Sequence, residues 1–322
     1  MPILAQKLSR IGDWGGSNLD ANSLQSGSVL DAIQHAENWM RQEISNWKYP
    51  YHFIDFETSG VALPYFSGMR PYEQLAFQFS HHVMHEDGRV EHVGQFLMTE
   101  PVAFPNFAFA RALKGQLEND QGTVFMWSPH ENTILCRIVQ QLVNTVTPPS
   151  DAKEMVAFME SLTNGGSREM YDLCKLSKEA YFHVSTKGSS SIKKVLPAVM
   201  KTSSFLREEY SKPIYGSDTG IPSMNYQDFT WWQPDEVGDP QDPYSLFTKY
   251  AEDLLGETVL PNEDPDDLVI AEGGAATTAY ARLQFESLNP ATRIKINEAL
   301  LRYCELDTLA MVMIVQAWKS YL

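Results

Sequence analysis

The stretch YHFIDFETSG, Tyr51 to Gly60, sets two carboxylates, Asp55 and Glu57, into an apolar run of the kind that makes a buried strand. An unpaired buried charge is so costly that these acids must be neutralised, ion-paired or bound to a metal. Residues two apart on a strand point to the same face, so whatever compensates one carboxylate is available to the other. Three more acids stand where the local pattern otherwise reads as buried or half-buried: Glu131 at a helix start, Asp172 in MYDLC, and Asp307 in the final helix. Tyr303 lies four residues before Asp307, on the same helical face. If the acids meet with no base beside them, a hard divalent cation relieves their repulsion, and oxygen donors without clustered Cys or His favour Mg²⁺ or Mn²⁺ over zinc. On the residues alone the structural alternative has the stronger claim: Asp55 caps a strand end, Glu57 faces solvent, and Asp307 pairs with a Lys or Arg.

The order of elements narrows the fold. Residues 1–47 read as a lead-in, polar and then helical in SVLDAIQHAENWMRQEISNW. Strand signals follow in HFIDF, QLAFQFSHHVM and VEHVGQFLM, with HEDGR as a hairpin turn between the last two. A helical segment near FARALKGQLEND precedes the strand TVFMW, which runs into the helix SPHENTILCRIVQQLV. Ser128 or Pro129 can start that helix and Glu131 falls in its first turn, where the helix dipole favours an acid. Further helices include GSSSIKKVLPAVM, and the span from about 211 to 272 reads as an irregular acidic insertion or lid. In the last helix Asn289 is the cap, Pro290 the first residue, and no breaker follows. The expectation is one α/β domain over 48–322, a mixed sheet flanked by helices, with insertions.

Net charge is −16, which by itself argues against a polyanionic partner. Its distribution changes that conclusion. From Asp235 to Glu272 there are twelve acids and one base, a balance of −11, whereas Lys175 to Lys212 holds eight bases and three acids, a balance of +5. Cys136, Cys174 and Cys304 form no CxxC pair and read as buried thiols in a reducing compartment. There is no cationic-then-apolar leader and no run of about 18 apolar residues, so the expectation is a cytoplasmic protein without a membrane partner.

The combination of DxE on a first strand, an acid at the start of a mid-chain helix and YCELD on the last helix resembles the DEDD exonuclease superfamily, with its ribonuclease H-like fold. Tyr303, four residues before the last Asp, resembles the DEDDy branch. The segments FIDFET, LPYFSGMRPYEQLAFQFSHH, GSSSIKKVLPAVM and YCELDTLAMV resemble the bacterial DUF2779 family, over roughly residues 48–320. The resemblance implies a metal-dependent 3′→5′ exonuclease acting on DNA or RNA, at a single-stranded 3′ end. It implies two Mg²⁺ or Mn²⁺ ions about 4 Å apart among Asp55, Glu57, Glu131 and Asp307. Tyr303 is then expected to orient the attacking water. Lys187, Lys193, Lys194 and Arg70 are expected to meet the phosphate backbone. The chain departs from the superfamily at the second motif, where WSPHEN supplies Glu131 in place of an Asp, and Asp172 is the reserve ligand. Two other readings remain: a nuclease-fold protein that binds nucleic acid or a partner without cutting, and a phosphoester hydrolase acting on small nucleotides.

Overall fold

The structure, a computed structural model, describes residues 26–101, 104–255 and 274–322. The first 25 residues of the expected lead-in and residues 256–272 of the acidic stretch lie outside them.

The acid-bearing run forms β1 (Tyr51–Ser59), an interior strand packed on both faces, which is why its sequence is nearly continuously apolar rather than alternating. The other strands are β2 (Leu75–Met84), β3 (Val90–Leu97), β4 (Val124–Met126) and β5 (Tyr171–Asp172), in the order β3-β2-β1-β4-β5. β2 runs antiparallel to both β1 and β3, whereas β4 is parallel to β1 and β5 is parallel to β4. The β2–β3 hairpin closes through HEDGR: Gly88 takes φ +90°, and the His85 N–H donates to the Arg89 carbonyl at 2.8 Å. The sheet is therefore mixed, as the chain order suggested.

Helices cover both faces. They are α1 (Ser26–Asn46), α2 (Asn106–Leu117), α3 (His130–Asn144), α4 (Ala152–Leu162), α5 (Leu173–Ala180), α6 (Ile192–Thr202), α7 (Ser204–Tyr210), α8 (Pro243–Leu255), α9 (Gly274–Phe285) and α10 (Pro290–Tyr321). Ile54 and Phe56 point into a core with Phe109 and Leu113 of α2, Ile134 and Ile138 of α3, and Met155 and Met159 of α4. Tyr51 and Phe53 point the other way, into a core built from α6, α7 and α10. Asp55 and Glu57 continue that second row, so the strand's own alternation turns both acids toward α10.

α10 starts where the sequence places it: the Asn289 side chain accepts the Thr292 N–H at 2.8 Å and Pro290 occupies the first turn. Its residues Cys304 to Val315 are all buried, because the helix lies on the sheet and is covered by α6, α7 and α8. A helix enclosed in this way has no polar stripe.

Of the insertion expected to be irregular over about 211–272, residues 243–255 form the helix α8 and only 211–242 is irregular among the described residues, and that part is not a free lid. Tyr215, Tyr226, Trp231 and Trp232 are buried in the core beside α10. It is pinned there by Glu305, a wholly buried acid that accepts from the Tyr215 hydroxyl at 2.5 Å, from Asn225 Nδ2 at 2.6 Å and from the Ser223 hydroxyl, with His92 Nδ1 at 3.2 Å. Burial alone would push the Glu305 carboxyl up. Hydrogen bonds from His92, Ser223 and Tyr215 outweigh it and hold the carboxyl below its usual value.

Candidate metal centre

β1, β4 and β5 are parallel, so their carboxyl ends open in one direction, and the crevice beyond such ends is where α/β sheets bind ligands. A cavity of about 680 Å³ lies there, within the size range of small-molecule sites. Asp55, Glu57, Glu131, Tyr303 and Asp307 all line it. Three distant segments of the chain thus deliver four of the five acids singled out by pattern to one cavity, and Asp172 is not among them.

The turn that presents Glu131 is strained. Between β4 and α3 stand only Trp127, Ser128 and Pro129, and Ser128 adopts φ +80°, a left-handed conformation that costs a non-glycine residue roughly 1–3 kcal/mol. Ser128 therefore starts no helix; α3 begins at His130 after Pro129. The Ser128 N–H donates to Asp172 Oδ1 at 3.0 Å, and the same oxygen accepts the Lys175 N–H at 3.1 Å as the cap of α5. Asp172 is thus committed to holding the Ser128 turn and capping α5, and it is Glu131 that enters the cavity.

The electrostatics are those of buried acids gathered in one place. Burial, then the charges of Asp307, Glu131 and Glu57, push the Asp55 carboxyl well above the usual range, with the Cys304 thiol opposing. Burial and Asp307 do the same to Glu57, against the pull of Lys193. Burial pushes Glu131 up to about 8; N–H groups of Glu131 and Phe56 pull it down, while Asp172 and Asp307 add to the rise. Glu131 Oε2 is buried without a hydrogen-bond partner. Asp307 Oδ1 accepts from the Tyr244 hydroxyl at 2.6 Å.

Cys304 comes close as well. Ligand atoms of Asp55, Glu57 and Cys304 lie within 4.8 Å of one another. Burial pushes the Cys304 thiol well up, so it keeps its proton and donates toward the Asp55 carbonyl at 3.5 Å and Asp55 Oδ2 at 3.8 Å. A bound cation would itself draw the proton from a coordinating thiol, so Cys304 stands with Asp55 and Glu57 in the group that could hold one. Among the described residues, Asp55, Glu57 and Cys304 form the group able to hold a cation, while Glu131, with its partnerless buried oxygen, and Asp307 line the same cavity outside that group.

The expected phosphate contacts divide. Lys193, in the first turn of α6, lines the cavity, with Nζ 5.6 Å from the Tyr303 ring centroid and 5.5 Å from that of Tyr244. Lys194 is half-buried beside it, outside the lining; Lys187 is exposed at φ +50°, and Arg70 is exposed in the loop after β1. Burial pushes the Asp242 carboxyl up, and the charges of Lys194 and Lys193 pull it back. Pattern reasoning passed over Tyr244, Cys304 and the left-handed Ser128. The Asp242–Pro243 pair opening α8 and the thiol inside YCELD were the only local signals for the first two, and nothing local marks the third.

Residues 52–191 match the model described as Domain of unknown function (DUF2779). The match takes in Asp55, Glu57, Glu131 and the Ser128 turn, while Lys193, Tyr303 and Asp307 fall beyond its end. No curated protein and no solved structure matches the chain.

Proposed function

We propose that this protein is a metal-dependent 3′→5′ exonuclease with a ribonuclease H-like fold, hydrolysing the phosphodiester bonds of DNA or RNA. The observation that carries this reading is the meeting of Asp55, Glu57, Glu131 and Asp307 with Tyr303 around one cavity at the carboxyl ends of parallel strands. Those four acids would hold Mg²⁺ or Mn²⁺, which supplies Lewis-acid activation of water and stabilisation of the leaving oxygen. Tyr303 lines the same cavity. A phenol with an ordinary pKa near 10 is a poor base at neutral pH, so its part is to position a water by hydrogen bonding. Lys193 meets the phosphate, and its charge balances part of the acid cluster. The negative charge of Asp242 near Lys193 and Lys194 favours a second reading, a hydrolase of small nucleotides, because it opposes the approach of a long polyanion to the basic segment.

The test is incubation of the purified protein with end-labelled single-stranded DNA and RNA, in Mg²⁺, Mn²⁺ or EDTA, alongside Asp55→Asn. A ladder shortening from the 3′ end, abolished by EDTA and by the substitution, is the expected result. Metal binding without cleavage would make this a non-cutting binder, and hydrolysis confined to mononucleotides would establish the second reading.

A further inference from the structure

We propose that Tyr244 is a positioning residue for Asp307, so that the first turn of α8 is part of the metal centre; this rests on the metal-dependent reading above. Tyr244 belongs to the acidic stretch, 63 residues before Asp307, and is buried. Its hydroxyl reaches Asp307 Oδ1 at 2.6 Å, within the short range of an O–H···O⁻ bond. Asp307 lines the cavity and Tyr244 does not, so the phenol holds the carboxylate from behind. A carboxylate ligand with one oxygen fixed in this way presents itself in one orientation, and such supporting hydrogen bonds commonly set metal affinity.

The phenol is itself held in place. The Asp242 side chain accepts the Tyr244 N–H at 3.0 Å, fixing the start of α8, and one turn later Phe247 packs on Tyr303 with ring centroids 5.5 Å apart. Lys193 Nζ lies over the Tyr244 and Tyr303 rings. One turn of a helix from an acidic insertion therefore touches Asp307, Tyr303 and Lys193. For packing alone a phenylalanine at 244 would serve, and the buried hydroxyl makes its bond to a candidate ligand.

The experiment is Mn²⁺ titration of the full-length protein, with wild type, Tyr244→Phe, Phe247→Leu and Asp307→Asn compared, and melting in EDTA measured for each. Tyr244→Phe is expected to fold and to bind Mn²⁺ about 10- to 100-fold more weakly. Phe247→Leu, which disturbs the same helix without touching Asp307, is expected to bind as wild type does. If wild type binds no Mn²⁺, the metal-dependent reading and this proposal fall together. If wild type binds and Asp307→Asn weakens it, while Tyr244→Phe binds equally or more tightly, only the role of Tyr244 is overturned. An equal loss in Phe247→Leu, or failure of Tyr244→Phe to fold in EDTA, would make the contact structural and overturn the proposal as well.

Discussion

Glu131→Gln isolates the energetic consequence of collecting acids in this cavity. In the folded chain Glu131 is pushed up to about 8, whereas an unfolded Glu titrates near 4.5. The folded state therefore holds this proton over a pH interval in which the unfolded state has released it. The stabilisation from the group is complete below about pH 4.5 and is lost progressively as pH rises to about 8. Each pH step inside that window costs about 1.4 kcal/mol, so going from about pH 5.5 to about pH 7.5 removes about 3 kcal/mol, on the order of 4 °C in melting temperature. A glutamine cannot ionise, and its oxygen can keep the N–H bonds at Glu131 and Phe56 while its amide group occupies the place of the partnerless Oε2. Melting of both proteins in EDTA at the two pH values measures the difference. Asp55 and Glu57 also titrate late, so the variant keeps some slope, but it is expected to be clearly flatter than wild type. Identical slopes would mean that Glu131 is ionised and paired in the folded chain, and the account of an acid cluster awaiting a cation would fail.

Tyr303→Phe removes a hydroxyl from the cavity and leaves the ring against Phe247, so single-turnover cleavage in Mn²⁺ should slow by something like 10²-fold with Mn²⁺ affinity unchanged. Lys193→Ala should weaken single-strand binding and lower the salt slope of log K by about 0.7, the loss of one phosphate contact, while Lys187→Ala, at an exposed position outside the cavity, should leave both nearly unchanged. Glu305→Gln should destabilise the protein by about 3 kcal/mol in urea unfolding, because it removes the charge from a set of hydrogen bonds with His92, Tyr215, Ser223 and Asn225; an unaltered midpoint would mean the carboxyl is neutral there.

What the sequence determined by itself came from local rules. The apolar run around Asp55 and Glu57 fixed a strand with both acids on one side, Asn289 and Pro290 fixed the start of α10, and the four-residue spacing put Tyr303 and Asp307 on one helical face. The mixed sheet followed from a meander succeeded by a strand and helix. Other features depended on contacts between residues far apart in the chain. Asp172 and Glu131 are equivalent as letters, and what separates them is the left-handed Ser128, whose N–H engages Asp172 while Glu131 swings into the cavity. Lys187, Lys193 and Lys194 share one basic segment, but only Lys193 lines the cavity, because its place in the first turn of α6 brings it over the rings of Tyr244 and Tyr303. Glu305 sits two residues from Asp307 and serves the core instead, since α10 offers its neighbours to different partners: Asp307 meets the phenol of Tyr244, and Glu305 the hydrogen-bond donors of the 211–242 stretch. A charge pattern in the chain cannot show which charges will be desolvated together; that is set by how the helices pack on the sheet.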